Sequence, residues 1–407
     1  MLRLFRWLGI AIVLLLLGTG LYWLFIRFYF NNYRQERLLT GLSGFSYLQI
    51  FSNPAPLKNI EVFGFLPYWT MNNAEVPDQV SDVAYFSVVF DSAGNIVERQ
   101  NGEMEVGFSR LQSENFTQWL AAQHEAGKRV HITIVGTGND DIASLVTNTN
   151  SRENFIDNVS QLLVSYPFDG LQLDFELAGS TSPAVQAGYV TLLENLKAEL
   201  KSLSPNLVLS VAVFGTAASK DTDFWDIEHI APHIDRLIIM SYDYHVRSSD
   251  VAGPVAPLFG KETGRYEDDI TSNIRDFLQY VPPEKILLGI PFYGYEWQVV
   301  NGQPGAATYP DSGSTATYKR VQELLNDPDV KVEEGWDSAA LSPFVVLNEG
   351  GTKKLIYYDN PRSLSYKLDL VAQLKLRGVA IWALGYEGNQ TELWEVIQQK
   401  LLDSQKE

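Results

Sequence analysis

The chain has 407 residues, of which 45% are hydrophobic, so it can form one large α/β domain or two modest ones. Its formal net charge of -18 argues against a nucleic-acid-binding surface and against adhesion to anionic lipid. The lack of cysteine excludes disulfides, thiol catalysis and thiolate zinc sites, and the five histidines show no metal-ligand spacing. We therefore expect no metal and no cofactor.

The N-terminal part of the chain reads as a membrane anchor. A short tail, residues 1–6, precedes a segment without charge that runs from Trp7 to Ile26. About twenty apolar residues cross the hydrocarbon layer as a helix, and aromatic residues lie near both ends of this segment. A cleaved signal peptide is the alternative, but no small-x-small cleavage site follows the apolar run. We predict an uncleaved transmembrane helix over residues 7–27 and a linker over residues 28–57.

After the linker, short apolar strands alternate with amphipathic helices. Such alternation predicts a parallel sheet, and at this length a closed (β/α)8 barrel, formed by residues 58–297 and 360–402. A doubly wound open sheet is the alternative, but no Gly-x-Gly-x-x-Gly follows an early strand. The predicted strands are Val62–Leu66, Asp82–Val89, Val130–Val135, Gly170–Phe175, Leu207–Phe214, Leu237–Tyr242, Ile286–Pro291 and Val379–Ala383.

Two of the intervening helices carry start signals. A capping box beginning at Asn150 predicts a helix over Asn154–Val164. Ser182 as a cap, followed by Pro183 at the first helical position, predicts a helix over Ala184–Leu203.

The interval between the seventh and eighth strands is too long for one helix. Its composition shifts towards Gly, Asp, Thr and Tyr, and Phe344–Leu347 and Leu355–Tyr358 favour strands. We predict a small α+β insertion over residues 298–359, at the C-terminal rim of the barrel.

The fourth strand carries two carboxyl groups at its C-terminal end. Side chains alternate along a strand, so Gln172, Asp174 and Glu176 share one face. Burying two carboxylates this close together is costly unless they share a proton or have other partners, which indicates chemistry. A hydrogen-bonded structural Asp with a Glu at the strand end is the alternative.

Aromatic and polar residues cluster at the ends of the other strands, where barrel enzymes place their catalytic groups. Flat rings beside carboxylates suit sugars, whose C–H faces stack on rings while their hydroxyls need hydrogen bonds. These candidates are Tyr68 and Trp69 after the first strand, Phe86 in the second, Met240, Tyr242 and Asp243 at the sixth, Tyr293, Tyr295 and Trp297 after the seventh, and Trp382 in the eighth.

Three segments in the correct order resemble glycoside hydrolase family 18. D-G-L-Q-L-D-F-E at residues 169–176 is similar to its fourth-strand signature, and M-S-Y-D at residues 240–243 to its sixth-strand element. G-V-A-I-W-A-L-G at residues 378–385 resembles the family's eighth-strand ending. The likeness spans roughly Lys58 to Leu402, and it implies a TIM barrel that hydrolyses N-acetylglucosamine polymers by a substrate-assisted mechanism.

The resemblance assigns roles to individual residues. Glu176 matches the general acid and base, with a pKa that burial beside a carboxylate should raise. Asp174 matches the residue that orients the substrate acetamido N–H, and Tyr242 the donor to the acetamido oxygen. Asp243 would contact a sugar hydroxyl or orient the acid, and Trp382 would stack under the ring. The further substrate-binding candidates are Asp169, Gln172, Met240, Tyr68, Trp69, Phe86, Tyr293 and Trp297.

One position departs from the family pattern. Gln172 stands where many chitinases carry an Asp that shares a proton with the residue matching Asp174. A neutral amide removes this like charge, although it could still donate a hydrogen bond to Asp174. The departure leaves open a carbohydrate-binding protein without turnover, a lectin, as the second hypothesis. A scaffold or interaction protein that uses the barrel fold is the third.

We therefore expect a membrane-anchored, retaining hydrolase of β-1,4-linked N-acetylglucosamine glycans, with peptidoglycan-type glycans and chitin as candidate substrates. Arginines on both sides of the predicted anchor do not fix its orientation. The chemistry places the catalytic domain outside the cytoplasm, at the cell surface or in the periplasm. The expected partners are an amino-sugar polysaccharide or oligosaccharide and the membrane, with no nucleic acid.

Overall fold

The computed structural model describes residues 60–219 and 224–403. Eight parallel strands each overlap one of the predicted segments. Their bounds are β1 Glu61–Pro67, β2 Asp82–Val89, β3 Arg129–Gly136, β4 Gly170–Phe175, β5 Val208–Phe214, β6 Arg236–Met240, β7 Ile286–Pro291 and β13 Gly378–Trp382. They close into a barrel in the order β1-β13-β7-β6-β5-β4-β3-β2, which confirms the predicted (β/α)8 fold.

Most residues of the barrel strands are apolar, because both faces of each strand are covered. Side chains that point inwards form a continuous core, and those that point outwards pack under the helices. The interior core contains Phe63, Phe65, Ala84, Ala212, Ile238, Met240, Leu287 and Ala380.

Among residues 60–219 and 224–403, the α-helices lie between strands along the chain, except for the last one, which follows β13. They are α1 Val106–Leu111, α2 Glu114–Glu125, α3 Asn139–Thr147, α4 Thr149–Ser165, α5 Pro183–Leu203, α6 Ile227–Ile230, α7 Ile270–Phe277, α8 Tyr318–Asn326, α9 Pro361–Leu374 and α10 Glu392–Ile397. Short 3-10 helices cover Ala231–His233 and Pro283–Lys285, and a π-helical turn covers Gln398–Leu402. A two-stranded hairpin pairs Arg99–Gln100 with Glu103–Met104.

The two helix-start predictions have different outcomes. The start of α5 is confirmed, because Pro183 is the first helical residue and the Ser182 side chain accepts from the Val185 N–H. The start of α4 is wrong, because the side chain of Asn148 caps it by accepting from the N–H groups of Asn150 and Ser151. An Asn at either position can cap a helix, and the helix continues to the earlier one.

A five-stranded antiparallel sheet follows β7. Its strands are β8 Tyr293–Val299, β9 Ser314–Thr317, β10 Val332–Asp337, β11 Ser342–Glu349 and β12 Thr352–Tyr357, in the order β9-β8-β12-β11-β10. With α8 it forms an α+β insertion between the last two barrel strands. The sheet begins at Tyr293, so it includes residues 293–297, which the sequence analysis assigns to the barrel.

The predicted tail, anchor and linker (residues 1–6, 7–27 and 28–57) lie outside the described residues. Within residues 60–219 and 224–403, no helix is long and apolar enough to span a membrane. In the same ranges, no group of three or more His, Asp or Glu side chains could hold a metal ion.

Candidate active site

A cleft of about 680 Å³ opens at the C-terminal ends of the barrel strands. Eight of the predicted site residues line it, namely Phe86, Asp174, Glu176, Met240, Tyr242, Asp243, Tyr293 and Trp382. The fold therefore brings together residues that are almost three hundred positions apart in the sequence.

Asp174 and Glu176 lie on the cleft side of β4, and their environments differ. Asp174 is only 5% exposed, whereas Glu176 is partly exposed. Burial, and then the charge of Glu176, raises the pKa of Asp174 well above its usual range. Burial, and then the charge of Asp243, raises the pKa of Glu176. The raised pKa of Glu176 agrees with the expectation from sequence and favours the protonated form that a general acid requires.

Tyr242 follows β6 and is held between β6 and β7. Gly289 leaves room for it, because a Cβ atom at Gly289 would lie 2.4 Å from the Ile239 carbonyl oxygen and 3.0 Å from Tyr242 Cε1. Burial, and then the charges of Asp174, Asp243 and Glu176, raises the pKa of Tyr242 well above its usual range. The phenol therefore stays protonated and can donate a hydrogen bond into the cleft.

Asp243 is held by two tyrosines of β8. Its Oδ1 accepts from the hydroxyl groups of Tyr293 at 2.5 Å and of Tyr295 at 2.9 Å. Its backbone has a φ of 62°, in the left-handed region that non-glycine residues rarely adopt. The residue is exposed as a whole, but desolvation of its carboxyl group raises the pKa of Asp243, and the two hydroxyl donors oppose this rise.

Aromatic rings surround Trp382 in the cleft. The Trp382 ring lies 4.6 Å from Phe86, 5.6 Å from Phe65 and 6.4 Å from Trp69, measured between ring centroids. Trp69 is 47% exposed at the rim, and its ring meets that of Tyr68 edge-on at 4.9 Å. Tyr68 and Trp69 thus lie beside the cleft and outside its immediate lining, while Trp382 and Phe86 present apolar faces to it.

Gln172 is fully buried one layer below Asp174, inside the barrel. Its Oε1 accepts from Oγ of Ser210, on the neighbouring strand β5, at 3.4 Å. The possible hydrogen bond from Gln172 to Asp174 is absent, since Gln172 Nε2 and Asp174 Oδ1 both lack a partner among the described residues. Gln172 therefore borders the catalytic strand end from below and does not line the cleft.

Two predicted substrate-binding residues lie elsewhere. Asp169 precedes β4 at the opposite, N-terminal end of the strand, where its Oδ2 accepts from the Val130 N–H and bonds His124 Nε2. Trp297 is fully buried in the insertion sheet and donates from Nε1 to the Val246 carbonyl oxygen at 3.2 Å. Neither of these residues lines the cleft.

Part of the cleft lining was not predicted from the sequence. Phe214, Gly215 and Thr216 line the cleft at the end of β5. A longer group follows β6, comprising Tyr244, His245, Arg265, Tyr266, Glu267 and Asp268. The available signal was the length of the segment between β6 and α7, because long ordered loops in compact domains are usually functional.

The sequence model of the glycosyl hydrolases family 18 matches residues 28–387 of the chain. The chain belongs to this family. The protein is therefore a chitinase-like glycosidase, and the cleft in which Asp174, Glu176, Tyr242 and Trp382 meet is its candidate active site.

Relatives and solved structures agree with this placement. A class V chitinase of Arabidopsis thaliana is 27% identical over 340 residues, which is 79% of this chain and 86% of that protein. A Bacillus subtilis protein, provisionally named as a sporulation-specific glycosylase, is 22% identical over 336 residues, covering 79% of this chain and 72% of its own.

Two crystal structures show the same fold. The Group IV chitinase of Ostrinia furnacalis in complex with allosamidin superposes with a TM-score of 0.73 at 21% identity, over 85% of this chain and 99% of that one. A family-18 chitinase of Cycas revoluta in complex with (GlcNAc)3 gives a TM-score of 0.70 at 21% identity, over 84% and 99%.

Proposed function

We propose that this protein is a membrane-anchored hydrolase of β-1,4-linked N-acetylglucosamine glycans that acts with retention through an oxazolinium ion. The observation that carries the proposal is the pair of carboxyl groups with raised pKa values, Asp174 and Glu176, in a cleft with Tyr242 and Trp382. The relatives named as chitinases and glycosylases support the substrate class.

In the first step, the carbonyl oxygen of the substrate's 2-acetamido group bonds to its own anomeric carbon as the glycosidic C–O bond breaks. Glu176 donates its proton to the departing oxygen, so the leaving sugar departs as a neutral alcohol. The positive charge that develops on the oxazolinium ring is stabilised by Asp174, which accepts from the acetamido N–H. This charge favours the ionised form of Asp174 and so acts against the rise in its pKa that burial and Glu176 cause.

In the second step, Glu176 takes a proton from water, and the water oxygen bonds to the anomeric carbon. The oxazolinium ring opens, the acetamido group is restored and the anomeric configuration is retained. Both steps need the acetamido oxygen in line with the anomeric carbon, and the protonated Tyr242 hydroxyl provides a donor for this purpose.

The remaining lining residues bind the sugar. Trp382 and Phe86 offer apolar surface to its C–H face, while Met240 packs below the cleavage position. Asp243 and Tyr293 form a hydrogen-bonded pair that can contact a sugar hydroxyl. Trp69 and Tyr68 at the rim would extend the aromatic surface to a neighbouring sugar.

The proposal includes a transmembrane anchor at residues 7–27 and a catalytic domain outside the cytoplasm. It is supported by the uncharged run from Trp7 to Ile26 and by the polymeric substrate class. On a bacterial membrane, cell-wall peptidoglycan would be the nearest amino-sugar polymer, and chitin or chitooligosaccharides are the other candidates.

A catalytically silent lectin is the alternative, and Gln172 is the observation that favours it. Its amide replaces a carboxyl group that could hold a proton, and Asp174 Oδ1 has no hydrogen-bond partner among the described residues. A lectin would bind amino-sugar oligomers without releasing reducing ends.

Mass spectrometry of products separates the two. The full chain, solubilised in detergent, is incubated with N-acetylglucosamine oligomers and with purified peptidoglycan, and Glu176→Gln serves as the control. Cleavage that is lost in the variant supports the hydrolase, and the preferred glycan identifies the substrate. Oligomer binding without products from either protein would support the lectin instead.

A further inference from the structure

The segment between β6 and α7 forms one wall of the cleft and is bonded to the insertion. Leu258 N donates to the Ala340 carbonyl oxygen at 2.9 Å, and Thr308 Oγ1 donates to the Ser249 carbonyl oxygen at 2.7 Å. Near its end, this segment contributes Arg265 and Tyr266 to the cleft lining. The insertion therefore supports this wall of the cleft directly.

Tyr266 lines the cleft and bonds a buried carboxyl group of the insertion. Its hydroxyl donates to Oδ2 of Asp337, the last residue of β10, which is only 5% exposed. The same Oδ2 accepts from the hydroxyl of Tyr357 at 2.9 Å, and Asp337 Oδ1 accepts from the Ala339 N–H at 3.1 Å. A buried carboxyl group with these donors is a fixed acceptor, because moving it would leave its buried oxygens without hydrogen bonds.

The Tyr266 ring is also held at its sides. The His245 ring meets it edge-on at 5.5 Å, and the Arg265 guanidinium lies 5.6 Å from its centroid. Arg265 itself donates from Nη2 to the Pro304 carbonyl oxygen at 3.0 Å, within the insertion. None of these contacts of Tyr266 and Arg265 involves Asp174, Glu176 or Tyr242, the residues to which the proposed function assigns the chemistry.

We infer that Tyr266, positioned by Asp337, is a binding platform for a sugar other than the one cleaved, and that the insertion thereby sets how much of a glycan chain the cleft grips. This inference rests on the proposed function. Flat aromatic rings bind the apolar faces of ligands at little conformational cost when their own rotamer is fixed, and the Asp337 hydrogen bond fixes this one. Tyr266 is thus expected to determine preference for glycan length.

Tyr357 provides a matched control, since its hydroxyl donates to the same Asp337 oxygen but its buried ring does not line the cleft. The variants Tyr266→Ala, Tyr266→Phe and Tyr357→Phe are made in the full chain. Affinity for N-acetylglucosamine oligomers from disaccharide to hexasaccharide is measured by calorimetry in a Glu176→Gln background. In parallel, KM and kcat are measured for the same variants with Glu176 intact.

We expect Tyr266→Ala to weaken hexasaccharide binding about tenfold, a factor equivalent to about 1.4 kcal/mol, and to weaken disaccharide binding much less. The loss should appear in KM more than in kcat. Tyr266→Phe should lie between Tyr266→Ala and its parent, and Tyr357→Phe should lower Tm while changing hexasaccharide affinity less than about twofold.

Equal losses for all oligomer lengths in Tyr266→Ala, or no loss, would overturn the inference. So would a Tyr357→Phe variant that weakens hexasaccharide binding as much as Tyr266→Phe does, because the hydrogen bond would then support only the fold. Binding without cleavage by the chain with Glu176 intact would refute the hydrolase while leaving the length dependence measurable. A chain that neither binds nor cleaves would refute both.

Discussion

At the scale of single residues, the cleft depends on two carboxyl groups of one strand that differ in burial. Asp174 points into the barrel mouth and is almost fully enclosed, while Glu176 at the strand end is partly open to solvent and near Asp243. Alternation along a strand requires both to face the same side, and the barrel makes that side the cleft. In the proposed mechanism, the more open Glu176 is the proton donor and the more deeply buried Asp174 stabilises positive charge.

The pH dependence of activity tests the influence of Asp243 on Glu176. The negative charge of Asp243 contributes to the raised pKa of Glu176, so Asp243→Asn removes that charge and should lower the pKa. Because the general acid must be protonated, the alkaline limb of the kcat/KM profile should move to lower pH.

The check is a pH–rate profile of both proteins on the same chitooligosaccharide. The variant keeps an amide oxygen that can accept from the Tyr293 and Tyr295 hydroxyl groups. An alkaline limb that stays in place or moves to higher pH would show that Asp243 does not act on Glu176 through its charge.

The environment of Gln172, inside the barrel, cannot be read from the family pattern alone. Gln172 is fully buried, so a carboxyl group at this position would be forced towards its neutral form. For Gln172→Glu, the folded-state pKa would lie above the unfolded value near 4.3, so the folded state would bind more protons between the two values. Stability would then be retained below the unfolded pKa and lost as pH rises through that interval, by about 1.4 kcal/mol per pH unit.

Urea unfolding at about pH 5 and about pH 8 measures this difference. Gln172→Met is the control, because it has a similar size and no titratable group, so its cost should be the same at both pH values. A Gln172→Glu variant with the same loss at both pH values would mean that the site is open to water.

The sequence predicted the residues that strand alternation places at the cleft. It did not show that other residues of the same segments lie away from the cleft. Asp174, Glu176 and Tyr242 stand at strand ends that meet at one edge, so their proximity could be inferred. Asp169 belongs to the same motif but precedes the strand, and five residues of extended chain carry it to the other end of the barrel. Trp297 follows β7 closely, but it lies in a second sheet that turns its ring inwards.

At the scale of secondary-structure elements, all eight barrel strands were predictable because each is a short apolar run between polar turns. The start of α4 was less predictable, because two Asn residues near it could both act as caps. The wall formed by the segment between β6 and α7 was not predictable, since its shape depends on bonds to the insertion, such as that from Leu258 to Ala340. Local sequence carries no signal for contacts of this range.

The N-terminal ends of the barrel strands hold a buried charge network around Glu61. Its carboxylate accepts from Arg236 on β6, from Arg129 at the start of β3 and from Arg377 just before β13. Burial alone would raise the pKa of Glu61, but the hydrogen bonds from Arg377 and Arg236 outweigh it and lower the pKa. The pKa of Asp82 is also held well below its usual range, since bonds to His131 and Arg129 outweigh its burial.

Glu61→Gln should lower the free energy of unfolding at neutral pH by about 3 kcal/mol, because it leaves the buried Arg236 guanidinium without its partner. A depressed pKa gives stability that is present above the unfolded value, about 4, and is lost as pH falls through the folded value. The variant should therefore also lose less stability on acidification than the wild type.

Denaturant unfolding at several pH values measures both effects. Glu323→Gln is the control, because Glu323 forms an exposed pair with Lys319, and its substitution should cost less than about 0.5 kcal/mol. Equal costs for the two substitutions would show that the Glu61 network contributes no more than a surface ion pair.

At the scale of the whole molecule, the barrel places its charge network and its chemistry at opposite ends. The N-terminal strand ends carry the paired charges around Glu61, while the C-terminal ends carry the cleft and the insertion. This division agrees with the general behaviour of TIM barrels, in which one face serves stability and the other catalysis. The insertion adds a wall to the cleft, and through Asp337 and Tyr266 it links its own sheet to the bound glycan.

Proton NMR of the first products tests whether Glu176 carries out retaining hydrolysis. The full chain is mixed with an N-acetylglucosamine oligosaccharide, and the anomeric signals are recorded before mutarotation. We expect the β-anomer to appear first and Glu176→Gln to reduce the rate by about 10² to 10⁴. The α-anomer appearing first, or oligosaccharide that binds to the wild type without forming any product, would contradict it.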